Sequence, residues 1–323
     1  QYLGSFREYY INFNGVMKIK NIICFDIGGT FIKYGVITEN GDILYKDKTP
    51  TPKSLCRVNI PKKLCEIIND LKEQYNIEYA GISTAGQVDI QKGEVVAGAI
   101  NFADYSGAKL AEEILKETGG KAFAENDVNA AALGEMWVGA ARNLDTFVCL
   151  TLGTGIGGAI VINRSLYRGI GGYAGEVGHM TINFNGEKCN CGFQGCFENY
   201  ASTSALVKKY NKAVKVEDSL ANGEEVMQKV QDGNTIACNI YKEYLNNLVV
   251  GLVNLTHILD PGTIIIGGGI AAQGDKFFNQ VNSLFKKKVM EPYRGHTKII
   301  KAGLNNDAGL LGACYIVKDR LSH

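Results

Sequence analysis

Four side chains that commonly bind metals lie within eighteen positions of one another in the middle of this chain. In order along the chain they are His179, Cys189, Cys191 and Cys196. Thiolates and imidazoles are the ligands of zinc in closed, tetrahedral structural sites, and Gly192 and Gly195 allow the backbone to turn between the last two thiols. The alternative is three unpaired thiols and a buried histidine, and the clustering of four ligands disfavours it. The sequence therefore predicts a structural zinc site of the Cys₃His type, which would force this segment into a compact loop.

Two glutamates flank the predicted zinc loop. Glu176 lies three residues before the first ligand, and Glu198 lies two residues after the last. A loop held by a metal ion would also hold these carboxylates in fixed positions. We therefore interpret the segment as one that orients a substrate.

The charged residues of the chain are nearly balanced, since 34 lysines and arginines are matched by 33 aspartates and glutamates among 323 residues. This balance provides no electrostatic basis for binding nucleic acid or an anionic membrane. The nine cysteines are scattered and odd in number, which is typical of a reduced compartment. Neither a signal-peptide pattern nor an apolar run of membrane-spanning length is visible, so we expect a cytoplasmic protein, long enough for two domains.

A glycine turn between two strands lies near the beginning of the chain. Residues 21–25 form an apolar run typical of a buried strand, and residues 31–37 form a second strand. The turn between them, Asp26-Ile-Gly-Gly-Thr30, offers backbone N–H groups and one hydroxyl, and its glycines would let a phosphate approach closely. Asp26 is placed where a magnesium ion would need a carboxylate. Taken alone, this motif also fits an ordinary hairpin.

A second turn of the same kind lies in the other half of the chain. The strand 149–152 leads into the glycine-rich turn 153–158, and another strand follows at 159–162. This internal repeat strengthens the phosphate-binding interpretation of both turns. The glycines of the second turn also match the spacing of the dinucleotide-binding fingerprint, but that fingerprint requires a helix after them, and the β-branched residues here predict a strand. A Walker phosphate loop is absent from the sequence.

Polar residues accumulate where a short strand meets a helix. The strand 121–124 is followed by Glu125-Asn-Asp127, and a helix is predicted for residues 130–137. Asparagine and aspartate are also common helix caps, so capping is the alternative for Asn126 or Asp127. Because α/β enzymes bind ligands at strand-to-helix junctions, and one cap needs only one polar residue, we favour a catalytic role.

A third glycine cluster follows another buried strand. The long helix predicted for residues 235–259 ends at Asp260-Pro-Gly262, and the strand 263–266 leads into Gly267, Gly268 and Gly269. We predict that these glycines open a helix, where the backbone would contact a nucleotide. A tight turn without a ligand is the alternative.

Together these motifs resemble the ROK family of bacterial sugar kinases over nearly the full length of the chain from Met17. The resemblance is carried by Asp26-Ile-Gly-Gly-Thr30, Glu125-Asn-Asp127, Leu152-Gly-Thr-Gly155 and Gly175-Glu-x-x-His179 with the cysteines that follow. It implies an α/β protein with the actin-like ATPase (ribonuclease-H-like) fold, in which ATP and a sugar bind in a cleft between two domains. It also implies that the final helix packs on the first domain.

The domain boundaries follow from the same resemblance. A small N-terminal α/β domain is expected at residues 17–124 together with 308–323. A larger C-terminal domain with the zinc site is expected at residues 125–307. Residues 1–16 show no periodic pattern, and we interpret them as an upstream or tag-like extension.

The resemblance assigns functional roles position by position. It implies that Asp127 is the general base of phosphoryl transfer. The implied sugar-binding residues are Asn101, Asn126, Asp127, Glu176, His179 and Glu198. The implied contacts of ATP and its magnesium ion are Asp26, Gly28, Gly29, Thr30, Lys33, Thr151, Gly153, Thr154, Gly155, Gly267, Gly268 and Gly269. His179 would serve two sites, because one ring nitrogen on zinc leaves the N–H of the other to donate to a sugar hydroxyl.

The resemblance leaves several substrates open. The loop after Ser83 lacks a proline common in the family, and the loop around Asn101 departs from the usual Asn-Leu-x-x-Trp pattern. Both loops border the sugar pocket in relatives. We expect phosphorylation of the 6-hydroxyl of glucose or a glucose-like sugar, with N-acetylmannosamine, N-acetylglucosamine and β-glucosides as alternatives. We also expect a homodimer, because dimers are common in relatives.

Two hypotheses without catalysis remain as alternatives. The family also contains sugar-responsive transcriptional repressors, which carry a helix-turn-helix segment before the kinase-like part. Here 25 residues precede Asp26, without basic clustering or a helical pattern, so a regulator lacking its DNA-binding segment is disfavoured. A non-catalytic sugar sensor is disfavoured by the presence of Asp127 and both glycine turns.

Overall fold

The structure of the chain is a computed structural model that describes residues 21–97, residue 102 and residues 104–322. The predicted extension at residues 1–16 and the predicted sugar ligand Asn101 lie outside these residues. Tertiary contacts divide the chain into two compact units. One comprises the chain up to Glu125 and the segment from Ala313 onwards, and the other is Asn126–Gly312. The second junction falls inside the last helix, whereas the resemblance implies a domain boundary at the beginning of that helix.

Strands and helices alternate along the part of the chain that the structure describes. The strands are β1 Asn21–Ile27, β2 Phe31–Ile37, β3 Ile43–Pro50, β4 Ile77–Thr84, β5 Gln87–Asp89, β6 Glu94–Ala97, β7 Ala108–Lys109, β8 Lys121–Asn126, β9 Phe147–Leu152, β10 Ile156–Ile162, β11 Ser165–Leu166, β12 Thr263–Gly267 and β13 Lys298–Lys301. The α-helices are α1 Cys56–Tyr75, α2 Leu110–Thr118, α3 Asp127–Val138, α4 Glu198–Ala201, α5 Thr203–Ala213, α6 Gly223–Gln231, α7 Thr235–Leu259, α8 Asp275–Lys288 and α9 Ala308–Ser322.

The first unit is built on a five-stranded sheet in the order β3-β2-β1-β4-β8. Strands β1, β2 and β3 form an antiparallel meander, and β4 pairs with β1 in parallel. The apolar side chains of the sheet and of α1 and α2 form one buried core, which includes Phe25, Ile60 and Ile114. Helix α9 also packs on this unit, so closely that a side chain at Gly81 of β4 would clash with the carbonyl of Ala313. The part of the final helix from Ala313 onwards therefore packs on the first unit, whereas Gly312 lies against the carbonyl of Ala130 in α3.

The second unit contains a sheet with the same arrangement, in the order β11-β10-β9-β12-β13. Strands β9 and β10 are antiparallel and are joined by the second glycine turn, while β12 pairs with β9 in parallel. The internal repeat seen in the sequence is therefore a repeat of strand topology. The core of this unit gathers on α7 and includes Phe197, which is completely buried. The ring of Phe197 occupies the space that a side chain at Gly251 of α7 would need. Burial of this ring contributes about 1.5–3 kcal/mol to stability. It also anchors the chain directly after Cys196, the last predicted zinc ligand.

The helix predicted after the third glycine cluster differs from the observed structure. A short 3₁₀ helix, Gly269–Gln273, follows β12, and α8 begins only at Asp275. Gly268 and Gly274 have φ values of +90° and +68°, and these left-handed conformations interrupt any continuous helix. Among the described residues, no helix combines the length and the apolar character needed to span a membrane.

Candidate active site

The four predicted metal ligands converge in the second unit. One ligand atom of each residue lies within 4.8 Å of those of the other three. The sulfur atoms of Cys191 and Cys196 are 3.6 Å apart, and Nδ1 of His179 lies 3.8 Å from the sulfur of Cys189. In a tetrahedral zinc site with metal–sulfur bonds of about 2.3 Å, ligand atoms are separated by about 3.8 Å. The donor set therefore fits a single zinc ion.

The backbone of this loop explains how the ligands are brought together. Gly195 has a φ of +78°, and a Cβ built on it would lie 1.8 Å from the carbonyl oxygen of Asn183, so the turn requires glycine. The carbonyl of Gly195 accepts hydrogen bonds from the N–H groups of Ile182 and Asn183, and the N–H of Phe197 donates to Met180. These bonds fold the loop back on the segment that follows His179.

The three thiols have different protonation properties in the absence of an ion. A hydrogen bond with the backbone of Phe193 lowers the pKa of Cys191 below its usual value and favours the thiolate, which is the form that binds metals. Burial raises the pKa of Cys196 to about 12 and also raises the pKa of Cys189. Metal binding would therefore release protons from the buried thiols.

Glu198 lies between this cluster and the second glycine turn. Its Oε1 accepts a hydrogen bond of 3.3 Å from the thiol of Cys189 and lies 3.6 Å from Nδ1 of His179. A Cβ built on Gly155 would lie 2.4 Å from Oε2 of the same carboxylate. The two oxygens of one side chain thus contact the metal ligands and the predicted phosphate turn.

Glu176 lies on a segment that packs against the first residues of β10. It precedes a short 3₁₀ helix, Val177–His179. The methyl groups of Val177 and the carbonyl of Gly175 fill the space beside Gly158, and a side chain at Gly178 would clash with the carbonyl of Ile156. This close packing places the backbone of Glu176 and His179 beside the strand that leaves the glycine turn.

Asn126 and Asp127 form the beginning of α3. Oδ1 of Asn126 accepts hydrogen bonds from the N–H groups of Val128 at 2.9 Å and Asn129 at 3.2 Å, so this residue is the helix cap. Its amide group donates to Oδ1 of Asp127 at 3.0 Å, and the N–H of Val128 donates to the same oxygen at 2.9 Å. The Asp127 carboxylate is therefore held in a defined position at the helix N-terminus, where negative charge is favourable.

The start of α3 packs on the first residues of β10, directly after the second glycine turn. A Cβ built on Gly157 would lie 2.3 Å from a methyl carbon of Val128 and 3.0 Å from the hydroxyl oxygen of Thr151. The structure thus brings the helix that begins with Asp127 to Gly157, two residues after Gly155, which lies against Glu198.

The turn itself is braced by residues that sequence reasoning missed. The carbonyl of Gly153 accepts hydrogen bonds from the N–H groups of Thr203 at 3.0 Å and Ser204 at 3.4 Å. The hydroxyl of Thr203 donates to the carbonyl of Leu152 at 3.2 Å. The sequence gives only a weak indication of this role for Thr203 and Ser204. A Ser-Thr-Ser run at the start of a helix is explained equally well by capping, and Ser202 does cap α5. Thr154, at the tip of the turn, is exposed.

The third glycine cluster lies next to this turn. Gly267 is paired with Thr151 in the parallel register of β12 and β9. A Cβ built on Gly268 would lie 2.2 Å from the carbonyl oxygen of Leu152. The sheet therefore places both glycine segments side by side, although they are far apart in sequence.

In the first unit, Asp26 is held from both sides by neighbouring strands. Lys33 of β2 donates to Oδ2 at 3.1 Å, and Ser83 of β4 donates to Oδ1 at 3.0 Å. Both residues lie directly opposite Asp26 in the sheet register. A single carboxylate beside a phosphate turn fits a magnesium ion that arrives with a nucleotide, because magnesium is usually bound by one or two carboxylates and substrate phosphates. Lys33 was predicted as a nucleotide contact, and its observed partner is the carboxylate.

The first glycine turn is braced in the same manner as the second. The hydroxyl of Thr51 donates to the carbonyl of Gly28 at 2.6 Å, and its N–H donates to the carbonyl of Thr30 at 3.0 Å. Lys53 donates to the carbonyl of Gly29. Neither Thr51 nor Lys53 was predicted from the sequence, because they follow the edge strand β3 and lie in no recognisable motif.

Comparisons with known proteins agree with this geometry. The family described as the ROK family matches residues 22–320. The chain is 34% identical over 315 residues to a glucokinase of Thermotoga maritima, covering 94% of this chain and 99% of that protein. It is similar to the crystal structure of a ROK family glucokinase from Streptomyces griseus in complex with glucose and AMPPNP, with 32% identity, a TM-score of 0.80 and coverage of 93% of this chain and 99% of the other. A protein of Listeria monocytogenes described as a proposed N-acetylmannosamine kinase has 30% identity and a TM-score of 0.80, with the same coverage.

Proposed function

This chain belongs to the ROK family and is an ATP-dependent sugar kinase with the actin-like ATPase fold, and we propose that it phosphorylates the 6-hydroxyl of glucose or a glucose-like hexose. The observation that carries the proposal is the position of Asp127. It begins α3, it is held by Asn126, and the next residue of the helix packs on Gly157 of β10, two residues after Gly155, which lies against Glu198. A base, a phosphate turn and sugar-binding carboxylates are thus grouped in one compact unit.

In this proposal Asp127 is the general base. A sugar hydroxyl does not ionise at neutral pH, so a carboxylate at hydrogen-bonding distance orients it and accepts its proton as phosphoryl transfer proceeds. The hydrogen bonds from Asn126 and Val128 both end on Oδ1. They fix the rotation of the carboxylate before the substrate arrives.

The sugar is held by the residues that surround the cysteine cluster. Glu176, His179 and Glu198, together with Asn126 and Asn101, provide carboxylate, amide and imidazole partners for hydroxyl groups. With Nδ1 of His179 facing the thiols, Nε2 is left as the atom that donates to a hydroxyl. A zinc ion bound to His179, Cys189, Cys191 and Cys196 would fix this tautomer and the loop, and would take no part in the transfer.

Each unit carries one proposed phosphate-binding glycine turn. The N–H groups of Gly28 and Gly153 donate to the carbonyls of Phe31 and Gly155, so the proposed phosphate contacts are the N–H groups of Gly29, Thr30, Thr154 and Gly155. The Gly267–Gly269 segment is the proposed neighbour of adenosine. Asp26 would hold the magnesium ion, which would neutralise charge on the transferred phosphoryl group. Lys33 and Ser83 orient Asp26 for this task.

Amino sugars form the second substrate class, because one similar structure is described as a proposed N-acetylmannosamine kinase. A coupled ADP-release assay over glucose, mannose, N-acetylmannosamine, N-acetylglucosamine and a β-glucoside tests the proposal. The highest kcat/KM is expected for glucose or a glucose-like sugar. A preference for an N-acetylated sugar would overturn the substrate assignment, and no ADP release with any sugar would overturn the assignment of a kinase. A homodimer remains our proposal for the assembly.

A further inference from the structure

The metal cluster and the phosphate turn of the second unit are joined by a single side chain. Oε1 of Glu198 contacts the thiol of Cys189 at 3.3 Å and lies 3.6 Å from Nδ1 of His179. Oε2 lies on the side of Gly155, at 2.4 Å from the position that a Cβ would occupy there. A carboxylate is rigid and planar, so its two oxygens move together. If the metal ligands shift and displace Oε1, Oε2 must therefore also move relative to the turn.

A second connection runs through the backbone. Cys196 is followed by Phe197, which is completely buried, and then by the short helix α4. Helix α5 starts one residue later, and the first two N–H groups of α5, those of Thr203 and Ser204, donate to the carbonyl of Gly153. The hydroxyl of Thr203 adds a bond to the carbonyl of Leu152. The last metal ligand and the turn are thus connected by a continuous run of eight residues with regular hydrogen bonds.

We propose that Glu198 and Thr203 couple the occupancy of the metal site to nucleotide binding at the Gly153–Gly155 turn, independently of any sugar. This inference rests on the proposed function, because it takes the turn to be a phosphate site. The turn binds phosphate through its backbone N–H groups, and these must be held in one orientation before the ligand arrives. An ion in the cysteine cluster would replace the proton of Cys189 and bind Nδ1 of His179, the two groups that lie against Oε1. It would therefore change the position of Glu198, and Glu198 and Thr203 carry this change to the turn.

Coupling of this kind is reciprocal, because a ligand that binds more tightly to the metal-loaded protein must also stabilise the metal. The nucleotide should therefore raise the affinity for zinc. The experiment measures the apparent dissociation constant of zinc by equilibrium competition with a chromophoric chelator, without sugar, in the presence and absence of saturating AMPPNP. AMPPNP binding by each variant is checked first by calorimetry.

In the unmodified chain we expect AMPPNP to lower the dissociation constant of zinc by about fivefold or more, the lower end of usual coupling between sites. In Glu198→Ala, measured again at saturating AMPPNP, the ratio of the dissociation constants without and with AMPPNP should fall close to one. In Thr203→Val, which removes only the bond to Leu152, the ratio should fall to an intermediate value. Glu187→Ala is the matched control, since Glu187 lies in the same loop and pairs with Lys208 on the surface. It should keep the full ratio.

Equal dissociation constants of zinc with and without AMPPNP in the unmodified chain would overturn the coupling, while leaving the proposed kinase function intact. A full ratio retained by Glu198→Ala would overturn the role of this residue. If calorimetry detects no AMPPNP binding to the unmodified chain, the proposed nucleotide site itself is wrong.

Discussion

The amide of Asn126 donates a hydrogen bond of 3.0 Å to Oδ1 of Asp127, while its own oxygen caps α3 by accepting the N–H groups of Val128 and Asn129. One side chain therefore caps the helix and also bonds to the carboxylate that is the proposed base. The cap stabilises the helix, and the amide orients the neighbouring carboxylate. This arrangement explains why an asparagine and an aspartate occur in succession, since either residue alone would suffice as a cap.

Asp127→Asn should abolish most of the activity without unfolding the protein. The substitution keeps the size of the side chain and removes its basicity, and a general base typically contributes about 10²- to 10⁴-fold to the rate. We expect kcat in the ADP-release assay to fall within this range, with sugar binding by calorimetry and thermal stability nearly unchanged. Asp145→Asn, an exposed residue of the same unit, is the control. Turnover retained by Asp127→Asn would remove Asp127 as the base.

Asn126→Ala and Asn126→Asp should separate the two roles of this residue. The alanine variant loses the cap and should lose about 1 kcal/mol of stability, measured by urea unfolding. The aspartate variant keeps an oxygen that accepts the helix N–H groups but has no amide to donate to Asp127. We expect kcat to fall in both variants, whereas only the alanine variant loses cap stability. Unchanged kcat in Asn126→Asp would show that the bond to Asp127 is unimportant for catalysis.

Cys191→Ser should remove the metal. Zinc sites of this type need all four ligands, so metal analysis of the purified variant should show loss of one zinc ion per chain. Sugar binding should weaken, because His179 and Glu198 lie against the same cluster. Cys238→Ser is the control, since the Cys238 thiol lies outside the cluster and donates to the carbonyl of Val230. Equal metal content in Cys191→Ser and the unmodified chain would refute the ligand set.

Glu135→Gln should destabilise the second unit. Glu135 of α3 is completely buried, and its carboxylate accepts three backbone N–H groups, those of Ala140, Gly303 and Leu304, at 2.7–2.9 Å. The glutamine amide would present N–H groups to some of these donors and leave them without an acceptor, at a cost of about 1–3 kcal/mol. Urea unfolding measures this loss. Glu112 of α2 forms an exposed ion pair with Lys109, so Glu112→Gln is the control and should change the free energy of unfolding little. An equally small change in Glu135→Gln would contradict the prediction.

Several features of the fold could be predicted because they are encoded over short distances in the sequence. Helix α7 extends from Thr235 to Leu259, as its apolar spacing predicts. Both strand–turn–strand units were predicted from glycines between apolar runs, and the four metal ligands were predicted from their spacing. In each case neighbouring residues determine the structure, so the pattern is visible without knowledge of the fold.

Other contacts could not be predicted, because they join residues that only the folded chain brings together. His296 lies 3.2 Å from the carboxylate of Asp260, and His257 accepts the N–H of Met290, although the sequence suggests no partner for either histidine. Ser83 reaches Asp26 because β4 pairs with β1 in a particular register. The third glycine cluster was expected to open a helix, and it opens only the short 3₁₀ helix Gly269–Gln273, which positive φ values at Gly268 and Gly274 separate from β12 and α8.

The sequence by itself determined which chemical groups this protein possesses: two glycine turns, a zinc-type ligand set and an aspartate at the start of a helix. The tertiary structure alone decided which of these groups touch, as where Glu198 meets Gly155 and where Thr203 meets Gly153. The physical reason is that turns, caps and ligand spacings are local properties of the backbone. Contacts between distant segments depend instead on strand register and on the packing of buried side chains, which are fixed only when the whole unit folds.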